Sequence, residues 1–418
     1  MLAQRGWNGV AVLGALTSFA GVPPEVTRGA LAARSAPADQ SRVESSQTSR
    51  ATLSARANEA LAAGRYAEAA DWFEQLTDVT PESPQAWAGL VRSYDGEGRR
   101  SVGELQKVAP DSPYVSLIVA DALATMGKLS EAFVLYRKAE AALPEQPGLH
   151  EAIADIYQKA GHADWAARER ARKTTPDCAR PTTACTFLKG DFQRTLQRTR
   201  SAHTDEDWYW RTRALNQLAT RAFAALEQLP RSVEVHAVRA HMAESQNRPQ
   251  AAVEELRRAL ELAPDDQELE RRLATALYLA HDHDAMLPIA RKLLAKAPDD
   301  PELLFLYGSA LLEAQQIDRA VPSLERAVAA DESLLQARAA LGRAFMMQGK
   351  VAAAIPHLEA ALPSDRDGSL YYQLAQAYQR AGRRDQARSA LEKYQAIRQR
   401  AQTTPVATGT ATPAITPP

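Results

Sequence analysis

The chain has 418 residues, with 50 basic against 51 acidic side chains, a formal net charge of −1 and an apolar fraction of 45%. That balance gives no electrostatic reason to expect nucleic acid or an anionic membrane as the main partner. Much of the apolar fraction is alanine and leucine, strong helix formers, so composition favours an all-α chain with a buried core.

The first twenty residues read as an export signal. Arg5 precedes a short apolar run from Val10 to Ala20, and Ser18-Phe19-Ala20 fits a small-x-small cleavage site before Gly21. The run is too short for a comfortable membrane span, which needs about 20 apolar residues. No cysteine stands at the cleavage point, which argues against a lipid anchor. The expected location is periplasmic or secreted. The alternative is a cytoplasmic chain, or one anchored at the membrane by an uncleaved N-terminal segment. Residues 21–49 are rich in Pro, Ser, Arg, Gln and Ala and are expected to be a flexible linker.

From residue 50 the pattern becomes helical. Leu61, Gly64, Tyr66, Ala69, Phe73 and Pro81 have the spacing of two helices with a tight turn at Gly64. A second unit opens at Pro84 with Trp87, Leu90, Tyr94 and Gly98, and its second helix is expected to stop short before Pro110. Residues 113–146 form a regular unit. Pro147 opens a fourth, whose second helix is unusually basic (Arg168, Arg170, Arg172, Lys173). The pattern lapses over 174–207, an irregular insert holding the only cysteines, with a short helical piece near Phe187, Leu188 and Phe192. A further helix pair is expected on Trp208, Trp210, Ala214, Leu218, Phe223, Leu226 and Pro230. Regular units then follow at 233–266, 267–300, 301–334, 335–367 and 368–400. Residues 401–418 are rich in Thr and Pro, cannot bury a core, and are expected to be disordered.

The repeat is clearest in 267–400. LeuAlaProAspAsp at 262–266 returns as LysAlaProAspAsp at 296–300, an interval of 34 residues. The same step links Leu273-Ala274 to Tyr307-Gly308 and Leu341-Gly342, and Ala320, Leu324 and Ala327 to Ala354, Leu358 and Ala361. A fixed period of this length means stacked supersecondary units, of which several are needed to bury a continuous core. Pro288, Pro322 and Pro356 share the spacing and are expected within the first turn or so of each second helix, where a missing N–H costs little.

This pattern of large, small, alanine, aliphatic and proline positions resembles the tetratricopeptide repeat family over about 50–173 and 208–400. The resemblance implies an all-α superhelical solenoid of antiparallel helix pairs, about nine or ten units counting degenerate ones. It further implies two arrays, 50–173 and 208–400, and a concave face lined by the first helix of each pair. Carried over residue by residue, that face takes Arg271, Thr275, Tyr278 and Leu279, then Phe305, Ser309, Leu312 and Glu313, then Arg343, Met346 and Met347. Tyr114 and Leu117 extend it in the N-terminal array. Exposed aromatics, methionines and arginines on one face are what interfaces enrich, and the competing reading is that the apolar members only pack between repeats. The carboxylate-clamp set that some family members carry is not matched: Asn58 fits, but Ser54, Gly89 and Ile118 stand where basic or amide groups are required.

Cys178 and Cys185 have six residues between them. An even count in an exported chain favours a disulfide that staples the insert. A metal-binding pair lacks further His or Cys at zinc-like spacing. His281-Asp282-His283-Asp284 falls at a turn, which suffices to explain it, and the basic run at 168–173 reads as a solvated helix face. No phosphate loop, zinc-protease or serine-hydrolase signature occurs. The sequence therefore points to an exported, non-enzymatic scaffold or adaptor without cofactor or metal, binding a protein or peptide on its concave face. Two alternatives are a stable accessory subunit of an envelope enzyme or assembly complex, and an enzyme with a cryptic site between helices.

Overall fold

The computed structural model describes residues 40–172, 178, 182–403 and 414–418, with the backbone alone for 40–49 and 400–403. The expected export signal and the first part of the linker lie outside the described residues. Twenty α-helices and no strand are found among the described residues, an all-α array of helix pairs as expected. No helix among them is long and apolar enough to cross a membrane. They fall into two compact units, 40–238 with 414–418, and 239–403.

In the first unit α1 (Gln40–Ala62) pairs with α2 (Tyr66–Val79), α4 (Pro113–Thr125) with α5 (Leu129–Ala142), and α6 (Leu149–Lys159) with α7 (Ala163–Ala171). α1 starts at Gln40, ten residues before the expected edge of the array. Between these pairs runs α3 (Pro84–Val108), 25 residues in one piece where a shortened pair was expected. Ser83 starts it by accepting from the Ala86 N–H, with Pro84 at the first helical position. Four interior glycines fail to break it, although each costs about 1 kcal/mol of helix propensity. Gly96 is needed for packing: a Cβ there would lie 2.3 Å from the Tyr66 ring of α2.

The reason α3 stays whole is its partner. The short helices α8 (Thr183–Leu188) and α9 (Phe192–Arg198) lead into α10 (Asp205–Glu227), a single 23-residue helix where a helix pair was expected. The most extensive packing between any two helices joins α10 to α3. Trp210 of α10 is fully buried, and Phe187 of α8 stacks 5.1 Å from both Trp210 and Phe192. Buried aromatic area of this size outweighs the glycine cost. Cys178 and Cys185 are joined as a disulfide, S–S 2.00 Å.

The second unit is regular. The division falls within α11 (Val233–Ser245), which α12 (Pro249–Leu262) follows. Then come α13 (Gln267–Leu279), α14 (His283–Leu294), α15 (Pro301–Glu313), α16 (Ile317–Ala330), α17 (Leu335–Met347), α18 (Val351–Ala361), α19 (Ser369–Arg380) and α20 (Arg384–Thr403). Asp266 and Asp300, from the repeated ProAspAsp, cap α13 and α15 by accepting from backbone N–H groups. Within pairs the approach is set by glycine: a Cβ on Gly308 would meet Leu324 at 2.7 Å, and one on Gly342 would meet Leu358 at the same distance.

Turns inside the pairs need a left-handed residue at the same 34-residue step. Gly349 supplies it with φ 74°, but Asn247, His281 and Gln315 take φ values of 54°, 58° and 58° without being glycine. The prolines depart from expectation. Pro288, Pro322 and Pro356 lie inside α14, α16 and α18, five residues past each start and so in the second turn. All three rings are exposed, so water can satisfy the carbonyl four residues back that loses its N–H partner.

Candidate functional site

In the 239–403 unit the inner-face positions sort into two kinds. Phe305 and Leu312 are buried between repeats, whereas Leu279 and Met347 are 49% and 40% exposed. Met346 is partly buried against the cluster of Ile355, Leu358, Leu370 and Leu374. Tyr278 and Phe305 meet edge to face with centroids 5.2 Å apart, which links two successive repeats. Arg343 donates to Glu313 across the next pair at 2.7 Å. The Tyr278 hydroxyl feels this ion pair: burial raises its pKa, Arg343 opposes and Glu313 adds. Arg271 is held by Asp300 at 2.8 Å. Burial alone pushes the Asp300 carboxyl up, but the hydrogen bonds from Arg271 and the Leu303 N–H prevail and hold it below its usual range. Ser309, buried on the same helix face as Phe305, has a hydroxyl with no hydrogen-bond partner.

Sequence reading missed Tyr372. It stands in the register of Arg271 and Phe305, but the unit 335–367 is one residue short, so a 34-residue step overshoots it. It is 45% exposed and lies 5.4 Å from the Tyr394 ring.

The corresponding face of the first unit is covered. Tyr114 and Leu117 on α4 are buried, and the Tyr114 ring lies 5.0 Å from Tyr209 of α10. Ser112 donates to Asp205 at 2.7 Å and Arg211 pairs with Glu97 at 2.8 Å, so both α4 and α3 are tied to α10 by polar contacts as well. Beside these contacts is a pocket of about 80 Å³ lined by Asp121, Tyr136, Asp155, Arg213, Asn216 and neighbours. Arg213 donates to the Tyr209 hydroxyl at 2.7 Å, and Tyr136 donates to Asp121 at 2.5 Å. Burial pushes the Tyr136 hydroxyl well up, with Asp121 adding to the effect. The clamp positions are also accounted for: Asn58 bonds the Ser54 carbonyl of its own helix, a Cβ on Gly89 would overlap Phe73, and Ile118 is buried.

The basic run resolves into ion pairs. Arg168 meets Asp164, Arg170 meets Glu151 and Asp155, and Arg172 meets Glu140 and Glu169. Lys173 lies outside the described residues. Arg170 occupies the position held by Phe73, Tyr136 and Leu324 in other units, so the fourth pair carries charge where they carry apolar surface. Glu140, His150 and Glu169 bring ligand-type atoms within 4.8 Å of one another, the one such trio among the described residues. Arg172 already bridges both carboxylates and His150 is 2.6 Å from Glu169, which makes the trio a buried ion-pair network. His281 sits at the left-handed turn position, and Asp282 caps α14 by accepting from the Ala285 N–H, so both have structural work there.

Tetratricopeptide repeat models match residues 54–100, 238–301, 271–331 and 305–369, and a second such model matches 368–400. No curated protein matches the chain. Among solved structures, a crystal structure of MamA protein is 17% identical, covering 41% of this chain and 94% of that one, with a TM-score of 0.34. A MamA RS-1 ArsTM double mutant is 20% identical over 41% and 97% of the two chains, TM-score 0.35. YrrB, titled a TPR protein with an unusual peptide-binding site, is 20% identical over 40% and 87%, TM-score 0.32. With repeat models lying on 54–100 and on 238–400, the chain belongs to the tetratricopeptide repeat family.

Proposed function

We propose that the protein is an exported, non-enzymatic scaffold that binds a protein or peptide along the inner face of its 239–403 array. The observation that carries this reading is the contrast in exposure at matched positions. Leu279, Met347 and Tyr372 present large apolar surface to solvent on first helices, in an array that also carries the Arg343–Glu313 ion pair. Tyr114 and Leu117, on the equivalent face of the other unit, are buried. Exposed apolar groups set among charges are what a peptide-binding face offers: anchors for affinity and ion pairs for selectivity. The Cys178–Cys185 disulfide supports export, because such bonds persist in oxidising compartments.

The test uses Leu279→Glu with Met347→Glu, two exposed positions whose change leaves the core alone. Capture from an envelope fraction, read by mass spectrometry, should lose partners that the wild type retains, while the thermal melt stays put. If every partner is retained, binding does not use this face. A stoichiometric complex that survives gel filtration with both variants would turn the reading to a stable accessory subunit.

A further inference from the structure

A buried tyrosine hydroxyl needs a hydrogen-bond partner, since stranding it away from water is costly. Tyr157 of α6 is fully buried, its ring 5.5 Å from Phe133 of α5 and 5.7 Å, edge-on, from Trp165 of α7. Its hydroxyl finds no partner on the repeats among the described residues. The partner comes from far along the sequence: Tyr157 donates to the backbone carbonyl of Thr416 at 2.8 Å. Residues 414–418, AlaIleThrProPro, belong to the same compact unit as 40–238, and Ile415 is half-buried there.

Segment and site suit each other chemically. Pro417 and Pro418 have no N–H to donate, so the end of this stretch offers a receptor carbonyls, which a receptor answers with donors. The Tyr157 hydroxyl is one, and burial raises its pKa further above the neutral range. Proline-rich chains are extended before binding and favour aromatic surfaces. Trp165, half-exposed and stacked on His162 at 4.0 Å, provides such a surface next to Tyr157. The contact reads a backbone carbonyl and no side chain, so it admits other segments of the same shape.

We propose that α5, α6 and α7 form a binding site for an extended, proline-flanked peptide, and that the chain's own 414–418 segment occupies it in cis. This site is separate from the 239–403 face, and neither reading depends on the other. An occupant carried on the same chain binds intramolecularly, so an incoming peptide must compete with it.

The experiment compares the full chain with a version ending at residue 413, using a fluorescein-labelled AlaIleThrProPro peptide and anisotropy. The shortened protein should bind at least tenfold more tightly than the full chain. Tyr157→Phe in the shortened protein should weaken binding roughly three- to tenfold, the worth of one hydrogen bond, while circular dichroism stays unchanged because the ring is kept. A second readout follows the Ile415 methyl by NMR in the full chain, assigned with Ile415→Val. It should tumble with the folded unit. A sharp, random-coil Ile415 signal, no peptide binding to the shortened protein, or equal binding to both would each overturn the proposal. So would a dimer by light scattering that dissociates on shortening, since the occupant would then come from a second copy.

Discussion

The two compact units use the same helical hairpin to opposite ends. In 239–403 the hairpins succeed one another in register and leave Leu279, Met347 and Tyr372 facing solvent. In 40–238 the succession is broken by α3 and α10, and α10 packs against Tyr114 and Glu97. One array keeps an open inner face and the other has filled its own. A repeat fold therefore supplies a face, and whether that face serves folding or binding is decided by what the chain places on it.

The largest expected effect tests whether α10 is integral to its unit. Trp210→Ala should cost about 3–5 kcal/mol by urea denaturation, the usual cost of emptying a fully buried aromatic site. A cost below 1 kcal/mol would make α10 a loosely held occupant and blur the contrast. Gly308→Ala probes the regular array. Its new methyl meets Leu324 at 2.7 Å, and overpacking of this kind should cost about 1–3 kcal/mol. Gly103→Ala, with nothing within 4 Å of the added carbon, should leave stability unchanged or raise it.

Asp300→Ala removes a cap and the partner of Arg271, with an expected loss of about 1 kcal/mol at neutral pH. Its pH dependence has a fixed sign. The folded carboxyl titrates lower than the unfolded one, so its contribution is complete above about pH 4 and fades as pH falls through the lower folded value. The variant should lose less on acidification than the wild type. The smallest effects lie in the turns. His281→Gly and Gln315→Gly relieve left-handed backbone at φ 58° and should each add about 1 kcal/mol, read as a rise in Tm. Asn247→Gly should gain less, because asparagine tolerates that conformation better.

What the sequence disclosed follows from where the physics is local. The 34-residue period, the caps at Asp266 and Asp300 and the tight approach at Gly308 are set within one hairpin, and residues a few positions apart reveal them. The continuity of α3 is not local: AspGlyGluGly at 95–98 reads as a turn until Trp210 and its neighbours are packed against the helix. The prolines at 288, 322 and 356 lie in the second turn, slightly deeper than their repeat spacing suggests. Among the inner-face residues, spacing identifies the face but not the depth. Leu279 and Leu312 look alike in sequence, yet only Leu279 is open to solvent.

The glycine–leucine contacts also bear on how such an array can be recombined. Gly308 faces Leu324 and Gly342 faces Leu358, while one period earlier the matching positions hold Ala274 and Ala290. A chimera that joins α13 to α16 would set the Ala274 methyl against Leu324, in the space that glycine leaves free. Crossovers placed between hairpins keep each matched pair together, and crossovers within a hairpin separate it. The unit of inheritance in this array is thus the whole hairpin, and shuffling experiments should recover folded proteins at the 300/301 and 334/335 junctions and lose them at the turns around 281 and 315.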